Sequence, residues 1–195
     1  ITSTEGGANR RGLGGILGAG LSCKLITMHS CSNSGAIVCN STTSDLHIGG
    51  AVGSSLTPLN LKDFVNKAPV TIAANDTRSG DCAVGSVLGY ITGTLNAENI
   101  VNEAEGVITF GECAGSNQLY VGGCLGRING GTDNTVTNVE NYALVTVRES
   151  GKNIYQGGVI GIVNTTDTTM TNLVNPADLV FDGIANSSTY MAAGI

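Results

Sequence analysis

The sequence predicts an all-β protein, a repeat β-solenoid (β-helix) with about five and a half coils of 35–37 residues. Three observations predict this fold. A glycine-rich pattern returns at nearly even intervals, a pattern built on asparagine follows it each time, and apolar residues recur at the same places in every repeat. Such periods are typical of solenoids, in which each repeat buries its apolar side only against its neighbours.

The glycine pattern has the form Gly-Gly-x-x-Gly. It occurs at 14–18, 49–53, 85–89, 122–126 and 157–161, and residues 193–195 resemble the start of a sixth copy. The first positions lie 35, 36, 37, 35 and 36 residues apart. Helical repeats of similar period are rejected, because a glycine inside a helix costs up to about 1 kcal/mol relative to alanine and every repeat here carries two or three glycines.

The asparagine pattern consists of an Asn, a small residue two positions later, and then alternating apolar residues. Its asparagines are Asn33, Asn66, Asn102, Asn141 and Asn175. Asn tolerates positive φ in turns, and stacked Asn side chains form hydrogen-bonded ladders. We therefore expect each of these residues to lie at a turn with positive φ and to belong to a ladder along the solenoid.

Aligning the repeats produces four apolar columns. Three residues before the glycine pattern lie Arg11, Leu46, Cys82, Leu119, Ile154 and Tyr190. One residue before it lie Leu13, Ile48, Val84, Val121, Gln156 and Ala192. Two residues before each pattern Asn lie Cys31, Phe64, Ile100, Val139 and Leu173, and six after it lie Cys39, Ile72, Ile108, Val147 and Phe181. Period-two alternation predicts strands, about three short ones in each coil, stacked about 4.8 Å apart.

Composition excludes several classes of partner. The net charge is -6, with 9 Lys and Arg against 15 Asp and Glu, so nucleic acid and anionic membrane surfaces are not expected to bind. No apolar run approaches the roughly 20 residues of a membrane-spanning helix. We divide the chain into a lead segment, 1–10, and one solenoid domain, 11–195, which we expect to be part of a longer protein or of an assembly.

The Gly-Gly-x-x-Gly element followed by Asn-x-Gly/Ala-x-Val/Ile resembles the GLUG-type repeats of large secreted or surface-anchored, adhesin-like proteins. The resemblance covers 11–195, and its departures are Gly85-Ser86 in place of a double glycine and an extended turn at Glu105-Gly106. It implies a β-solenoid shaft in an extracellular or cell-surface protein and transfers no catalytic residues. Surface glycans and host proteins are partners that such a role implies.

The six cysteines divide into two groups. Cys31, Cys39, Cys82 and Cys124 fall in apolar columns, and we interpret them as small buried hydrophobic residues. Cys23 and Cys113 fall outside those columns, and a Cys82–Cys113 disulfide is the candidate bridge if the compartment is oxidising. No metal site is predicted, because Cys-x-x-Cys is absent from the sequence and His29 and His47 are not spaced as a ligand pair.

Four candidate N-glycosylation sites are present, at Asn40, Asn75, Asn164 and Asn186. Asn40 and Asn75 both lie 26 residues after the first glycine of their repeat, just past the last apolar position, where a turn is expected to meet solvent. Such sequons also arise by chance in a chain rich in Asn, Ser and Thr, so the sequence leaves both interpretations open.

No catalytic residue and no cofactor is predicted, and the chain is not expected to be an enzyme. The alternative is a glycan-binding or glycan-cleaving β-helix, which would need clustered acids and aromatic platforms. The candidate acids, Glu98, Glu103, Glu105, Glu112 and Glu140, fall mostly in turns or outward positions, and the chain has 5 Tyr and no Trp. Ice binding is a weaker hypothesis, because the threonines that suggest it crowd into one repeat: Thr165, Thr166, Thr168, Thr169 and Thr171.

The edges of a solenoid coil carry rows of unpaired backbone N–H and C=O groups, which pair readily with another chain. We therefore expect the protein to be a structural or adhesive module, the shaft of a surface protein or filament. Its expected partners are further copies of itself or adjoining domains, bound through the solenoid ends.

Overall fold

The computed structural model describes residues 2–3, 11–40, 45–73, 80–111, 118–148, 153–182 and 189–194. These residues form strands and turns and no helix, so none of them forms a helix that could cross a membrane. The strand pairs are parallel, and each strand pairs with its counterpart one repeat away. The predicted all-β solenoid is confirmed.

Four strands follow one another in each coil. The first strand and first coil are β1 (Thr2–Ser3), β2 (Arg11–Gly14), β3 (Leu17–Gly20), β4 (Ile26–Asn33) and β5 (Ile37–Cys39). The second and third coils are β6 (Leu46–Gly49), β7 (Val52–Ser55), β8 (Leu59–Asn66), β9 (Val70–Ile72), β10 (Cys82–Gly85), β11 (Leu88–Ile91), β12 (Leu95–Asn102) and β13 (Ile108–Phe110). The fourth and fifth coils and the last strand are β14 (Gln118–Gly122), β15 (Leu125–Ile128), β16 (Asn134–Asn141), β17 (Val145–Val147), β18 (Asn153–Gly157), β19 (Ile160–Val163), β20 (Thr168–Val174), β21 (Leu179–Phe181) and β22 (Thr189–Ala193).

The strands belong to four parallel sheets. Sheet I contains β2, β6, β10, β14, β18 and β22, sheet II contains β3, β7, β11, β15 and β19, sheet III contains β4, β8, β12, β16 and β20, and sheet IV contains β1, β5, β9, β13, β17 and β21. Strand β1 lies in the predicted lead segment and pairs with β5.

Two details of the predicted coil are wrong. Each coil has four strands rather than three, because the glycine pattern forms a sharp bend with a strand on either side of it. Sheets II and III make four steps from coil to coil, so the solenoid advances through about four turns, slightly fewer than the predicted five and a half coils.

The apolar columns fill two cores. One core contains residues of sheets II and III, such as Val52 and Phe64, and the other contains residues of sheets I and IV, such as Ile48 and Val70. The strand register confirms the predicted columns, with one exception. Phe110, not Ile108, pairs with Ile72 and Val147, because the extended turn at Glu105-Gly106 adds two residues to the third coil.

Close approach explains the glycine at the second position of the pattern. A Cβ atom added at Gly50 would lie 2.2 Å from the Ser86 carbonyl oxygen and 2.7 Å from Asn66 Oδ1. The bend between sheets I and II therefore contacts the Asn at the opposite turn, between sheets III and IV. A side chain at residue 50 would have to displace one of these atoms, whereas the third coil accommodates the buried Ser86 at the same position.

The pattern asparagines form the predicted ladder. Their side chains are hydrogen bonded from coil to coil at 2.7–2.9 Å, and we call the set the interior ladder: Asn33, Asn66, Asn102, Asn141 and Asn175. The expected positive φ is wrong for these residues. It occurs three positions earlier, inside the long strand of sheet III, at Ser30, Asp63, Asn99, Asn138 and Asn172.

Replacing Gly126 with Ala should destabilise the solenoid by about 1–3 kcal/mol through overpacking. The new Cβ would lie 2.5 Å from the Gly89 carbonyl oxygen and 2.6 Å from the Val84 nitrogen, both backbone atoms. Gly35→Ala is the matched control, because its Cβ would meet only Asn33 Oδ1, at 3.8 Å. Urea denaturation followed by circular dichroism measures both. Equal midpoints for the two variants would contradict the packing described here.

Candidate functional site

The structure describes two of the four candidate glycosylation sites. Asn40 directly follows β5 and is exposed, as expected for a turn that meets solvent. Asn164 directly follows β19 and is also exposed, and its Nδ2 donates to Asn129 Oδ1 at 2.9 Å. Asn75 and Asn186 lie outside the described residues. Glycosylation at all four positions stays a prediction.

Most of the cysteines in apolar columns lie in the cores. Cys39, Cys82 and Cys124 are fully buried, which confirms their interpretation as small hydrophobic residues, and Cys31 is half-buried near the N-terminal end of the solenoid. Cys23 is exposed, with its Sγ 3.4 Å from Thr57 Oγ1. Cys113 lies outside the described residues, so the Cys82–Cys113 disulfide stays a prediction.

The candidate acids are engaged separately. Glu98 forms an ion pair with Lys62 at 3.1 Å, and Glu103 forms one with Lys67 at 3.5 Å. Glu140 accepts a hydrogen bond from the Tyr142 hydroxyl at 2.7 Å. Of the other two, Glu105 is exposed in a turn and Glu112 lies outside the described residues. Each of these three carboxylates thus has its own cationic or hydrogen-bond-donating partner. None of these contacts brings two carboxyl groups together, as the acid pair of a glycosidase would require.

The two histidines lie in different sheets. His29, in sheet III, pairs with Asp63 through Nε2 and Oδ2 at 2.9 Å, whereas His47, in sheet I, stacks on Tyr90. Within the described part of the chain, no group of three His, Cys, Asp or Glu side chains could hold a metal ion.

Sequence reasoning missed a cleft between sheets I and II. Its walls are two columns that change chemistry from coil to coil. The column in sheet I contains Gly12, His47, Ala83, Tyr120, Tyr155 and Met191, and the column in sheet II contains Ala19, Ser54, Tyr90, Arg127 and Ile162. The signal was available, because these residues lie two before and five after the first glycine of each pattern.

Aromatic rings and one guanidinium group fill this cleft. The rings of His47 and Tyr90 stack at 4.3 Å with an angle of 12°, and those of Tyr120 and Tyr155 stack at 5.2 Å. The Arg127 guanidinium lies 4.3 Å from the Tyr120 ring centre and 5.7 Å from that of Tyr90. Cation–π contacts of this kind stabilise a desolvated site by about 2 kcal/mol.

The cleft is packed by its own side chains. Tyr90 is 6% exposed and Tyr120 is 2% exposed, so their ring faces are covered by neighbouring groups rather than presented to a ligand. The charge of Arg127 is met by Asp81 at 3.3 Å and by Asn129 Oδ1 at 2.7 Å. Burial raises the pKa of Tyr120 to about 12, although the Arg127 charge opposes the shift. This arrangement leaves little aromatic surface in the cleft for stacking a sugar.

Threonines on the outer side of sheet III are in register over two coils. Thr169 pairs with Thr135, and Thr171 pairs with Thr137. The next coil along the sheet has Asn96 and Glu98 at these positions, and Glu98 is engaged with Lys62. The regular threonine surface that ice binding requires is therefore interrupted after two coils.

The two ends of the described solenoid differ from its sides, because they expose the apolar cores. We define the C-terminal end face by β19, β20, β21 and β22, the last strands of the four sheets. It contains an apolar cavity of about 640 Å³ between β19, β20 and β22. Large hydrophobic residues are 39–57% exposed at this end: Met170, Val174, Val180, Tyr190 and Met191.

The N-terminal end face, defined by β1, β2, β3 and β4, is also apolar. Ile16 is 48% exposed in its coil, whereas Ala51, at the same position of the next coil, is buried. Both end faces therefore combine open strand edges with exposed hydrophobic side chains. This combination marks a surface that another β-structure can extend, and it makes the end faces the candidate functional site.

Comparison with known proteins gives no relative: no family model, no curated protein and no solved structure matches the chain. The resemblance to GLUG-type repeats therefore stays a prediction.

In the native protein at about pH 8, an alkylating reagent should modify Cys23 well before Cys124, because the reactive species is the thiolate. Cys23 is exposed, whereas burial raises the pKa of Cys124 to about 12 and keeps its thiol protonated and inaccessible. Peptide mapping by mass spectrometry measures both sites, with denatured protein as the control in which both react. Equal labelling rates in the native protein would contradict the placement of Cys124 in the core.

Proposed function

We propose that the chain is a structural, adhesive module of an extracellular or cell-surface protein, a β-solenoid shaft that binds further coils of the same repeat through its end faces. The observation that carries this proposal is the C-terminal end face, where three sheets end on apolar strands beside a cavity while sheet I extends one strand further.

Burial energetics favour a further coil at this face. Fully burying a side chain the size of Leu173 or Ile160 contributes about 1.5–3 kcal/mol, and both residues line the cavity. The open backbone edges of β19, β20 and β21 add hydrogen-bonding groups that another β-strand can match. A coil of the same repeat supplies both requirements, because its apolar columns have the same spacing.

The sides of the solenoid suit a shaft. The long strand of sheet III carries separate ion pairs, such as Lys62 with Glu98, and surface pairs of this kind contribute little to binding. The aromatic rings of the cleft pack against neighbouring groups, and Tyr90 and Tyr120 are buried. The exposed Asn40 lies at a turn on the side of the shaft, where a glycan would not obstruct stacking. Together with the resemblance to adhesin-like repeats, these features support an extracellular location.

Replacing Met191 with Lys should weaken end-to-end association of the chain by about tenfold or more, equivalent to ~1.4 kcal/mol. Met191 is 57% exposed and lines the cavity, so the substitution places a charge in the contact while leaving the existing cores intact. Sedimentation analysis over a range of concentrations measures the association.

Leu144→Lys is the matched control, because Leu144 is 38% exposed in the turn between β16 and β17 on the side of the shaft. It should associate like the unsubstituted chain. A chain that stays monomeric at high concentration, or equal weakening by both variants, would overturn association through the end faces.

A further inference from the structure

The interior ladder has a fixed hydrogen-bond direction. Asn66 Nδ2 donates to Asn102 Oδ1 at 2.9 Å, and Asn102 Nδ2 donates to Asn141 Oδ1 at 2.7 Å. The same direction holds from Asn33 to Asn66 and from Asn141 to Asn175. Every donor atom in this ladder therefore points towards the C-terminal end.

Main-chain contacts set this direction at the individual asparagines. Asn66 Nδ2 also donates to the Ala68 carbonyl at 2.8 Å, and Asn141 Nδ2 donates to the Ala143 carbonyl at 2.9 Å. The Ala143 N–H donates in turn to Asn141 Oδ1 at 3.3 Å. A flipped amide would place oxygen against a carbonyl oxygen and nitrogen against an N–H, so the side chains have one acceptable orientation.

A second ladder runs along the outside of sheet III, and we call it the exterior ladder: Asp63, Asn99, Asn138 and Asn172. Its direction is opposite. Asn99 Nδ2 donates to Asp63 Oδ1 at 2.8 Å, Asn138 Nδ2 to Asn99 Oδ1 at 2.9 Å, and Asn172 Nδ2 to Asn138 Oδ1 at 3.0 Å. These residues have positive φ, a conformation that Asn and Asp tolerate better than most residues.

Asp63 sets the direction of the exterior ladder. The hydrogen bond from Asn99 holds the pKa of its carboxyl below the ordinary value, and the nearby His29 and Lys62 charges lower it further, although desolvation opposes the shift. An ionised carboxylate accepts hydrogen bonds and donates none. Asn99 must therefore turn its NH₂ group towards Asp63, and each later amide follows the one before it.

The C-terminal end face thus presents two side-chain amides three residues apart in the sequence. One offers a hydrogen-bond donor to a following coil, and the other offers an acceptor. Asn175 Nδ2 donates one hydrogen to the Ala177 carbonyl at 3.0 Å. Its second N–H faces the position of the next coil, to which each earlier member of the interior ladder donates. Asn172 Nδ2 donates to Asn138 in the preceding coil. Its Oδ1 therefore faces the position of the next coil, from which each earlier member of the exterior ladder accepts a hydrogen bond.

We propose that the C-terminal end face selects its partner coil by hydrogen-bond polarity: the coil must carry an acceptor at the interior-ladder position and a donor at the exterior-ladder position. This inference rests on the proposed function and names the chemistry of the partner. The occupant is a parallel coil of the same repeat, with Asn or Asp at the interior position and Asn at the exterior position.

Other β-structures fail this requirement. An apolar strand would fill the cavity but leave the Asn175 N–H without a partner, and a buried unpaired polar group costs about 1–3 kcal/mol. The Asn172 oxygen lies on the outside of sheet III, where solvent can reach it, so the interior ladder carries the larger penalty. The repeat itself fits, because residues 138–141 and 99–102 carry Asn at both positions.

A chain extended by one coil tests the proposal. The extension is a second copy of residues 159–194 joined after Gly194 in place of Ile195, which continues the column positions in register. The measured quantity is the rise in the urea midpoint that the added coil produces. We expect the added coil to raise the midpoint, because it covers the apolar cavity and the open edges.

The two informative variants are Asn175→Asp and Asn172→Asp, made in the first copy of both the parent and the extended chain. Asn175→Asp keeps the acceptor for Asn141 but removes the donor that faces the added coil, so the rise should be largely lost. Asn172→Asp removes the donor that faces Asn138 in both chains and keeps the acceptor that faces the added coil, so the rise should be retained.

The outcomes separate this inference from the proposed function. Retention of the rise in both variants, or an equal loss in both, would overturn selection by polarity while leaving end-face stacking intact. No rise in the unsubstituted chain would overturn the stacking itself and the inference with it. Loss in Asn175→Asp together with retention in Asn172→Asp supports both.

Discussion

Buried side-chain amides constrain the whole solenoid. A polar group removed from water destabilises the fold unless it finds hydrogen-bond partners, and the interior ladder meets this requirement only when successive coils stack in one register. Asn66, Asn102 and Asn141 are fully buried, and each donates both to a carbonyl of its own coil and to the amide of the next. A slip of one residue would break the hydrogen bonds that join these amides from coil to coil.

The cross-section follows from that ladder. The glycine bend between sheets I and II reaches the ladder from the other side of the coil, and atoms as close as those around Gly50 leave no space for a side chain. The contact divides the interior into two apolar cores, one shared by sheets II and III and the other by sheets I and IV. Residues of the glycine pattern contact residues of the asparagine pattern, and this contact explains why the two patterns keep a nearly constant separation in the sequence.

The sequence was most informative where every repeat has the same chemistry. The apolar columns and the ladder could be predicted because position-by-position alignment identifies them, and the structure pairs Leu46 with Cys82 as expected. Alignment failed at the third coil, where the two-residue insertion at Glu105-Gly106 moves Phe110 into the place assigned to Ile108. Gly106 takes the place that Ala68 has in the second coil and accepts the Asn102 hydrogen bond.

The candidate site was harder to predict. The aromatic cleft escaped notice because its columns change residue type from coil to coil, and only a register fixed by backbone pairing brings His47 against Tyr90. The exterior ladder escaped notice because positive φ was assigned to the buried Asn, whereas positive φ occurs three positions earlier, inside the long strand of sheet III. Association through the solenoid ends followed from the open strand edges alone, and the structure adds the polarity of the two ladders to that hypothesis.

The interior ladder can be observed directly by nuclear magnetic resonance of isotopically labelled protein, through the scalar coupling that crosses a hydrogen bond. Coupling is expected between the side-chain amide nitrogen of Asn66 and the side-chain carbonyl carbon of Asn102, with amide hydrogens that exchange far more slowly than those of the exposed Asn40. Absence of that coupling, with Asn66 and Asn40 exchanging at equal rates, would contradict the stacking register on which the fold and the proposed end-face contacts depend.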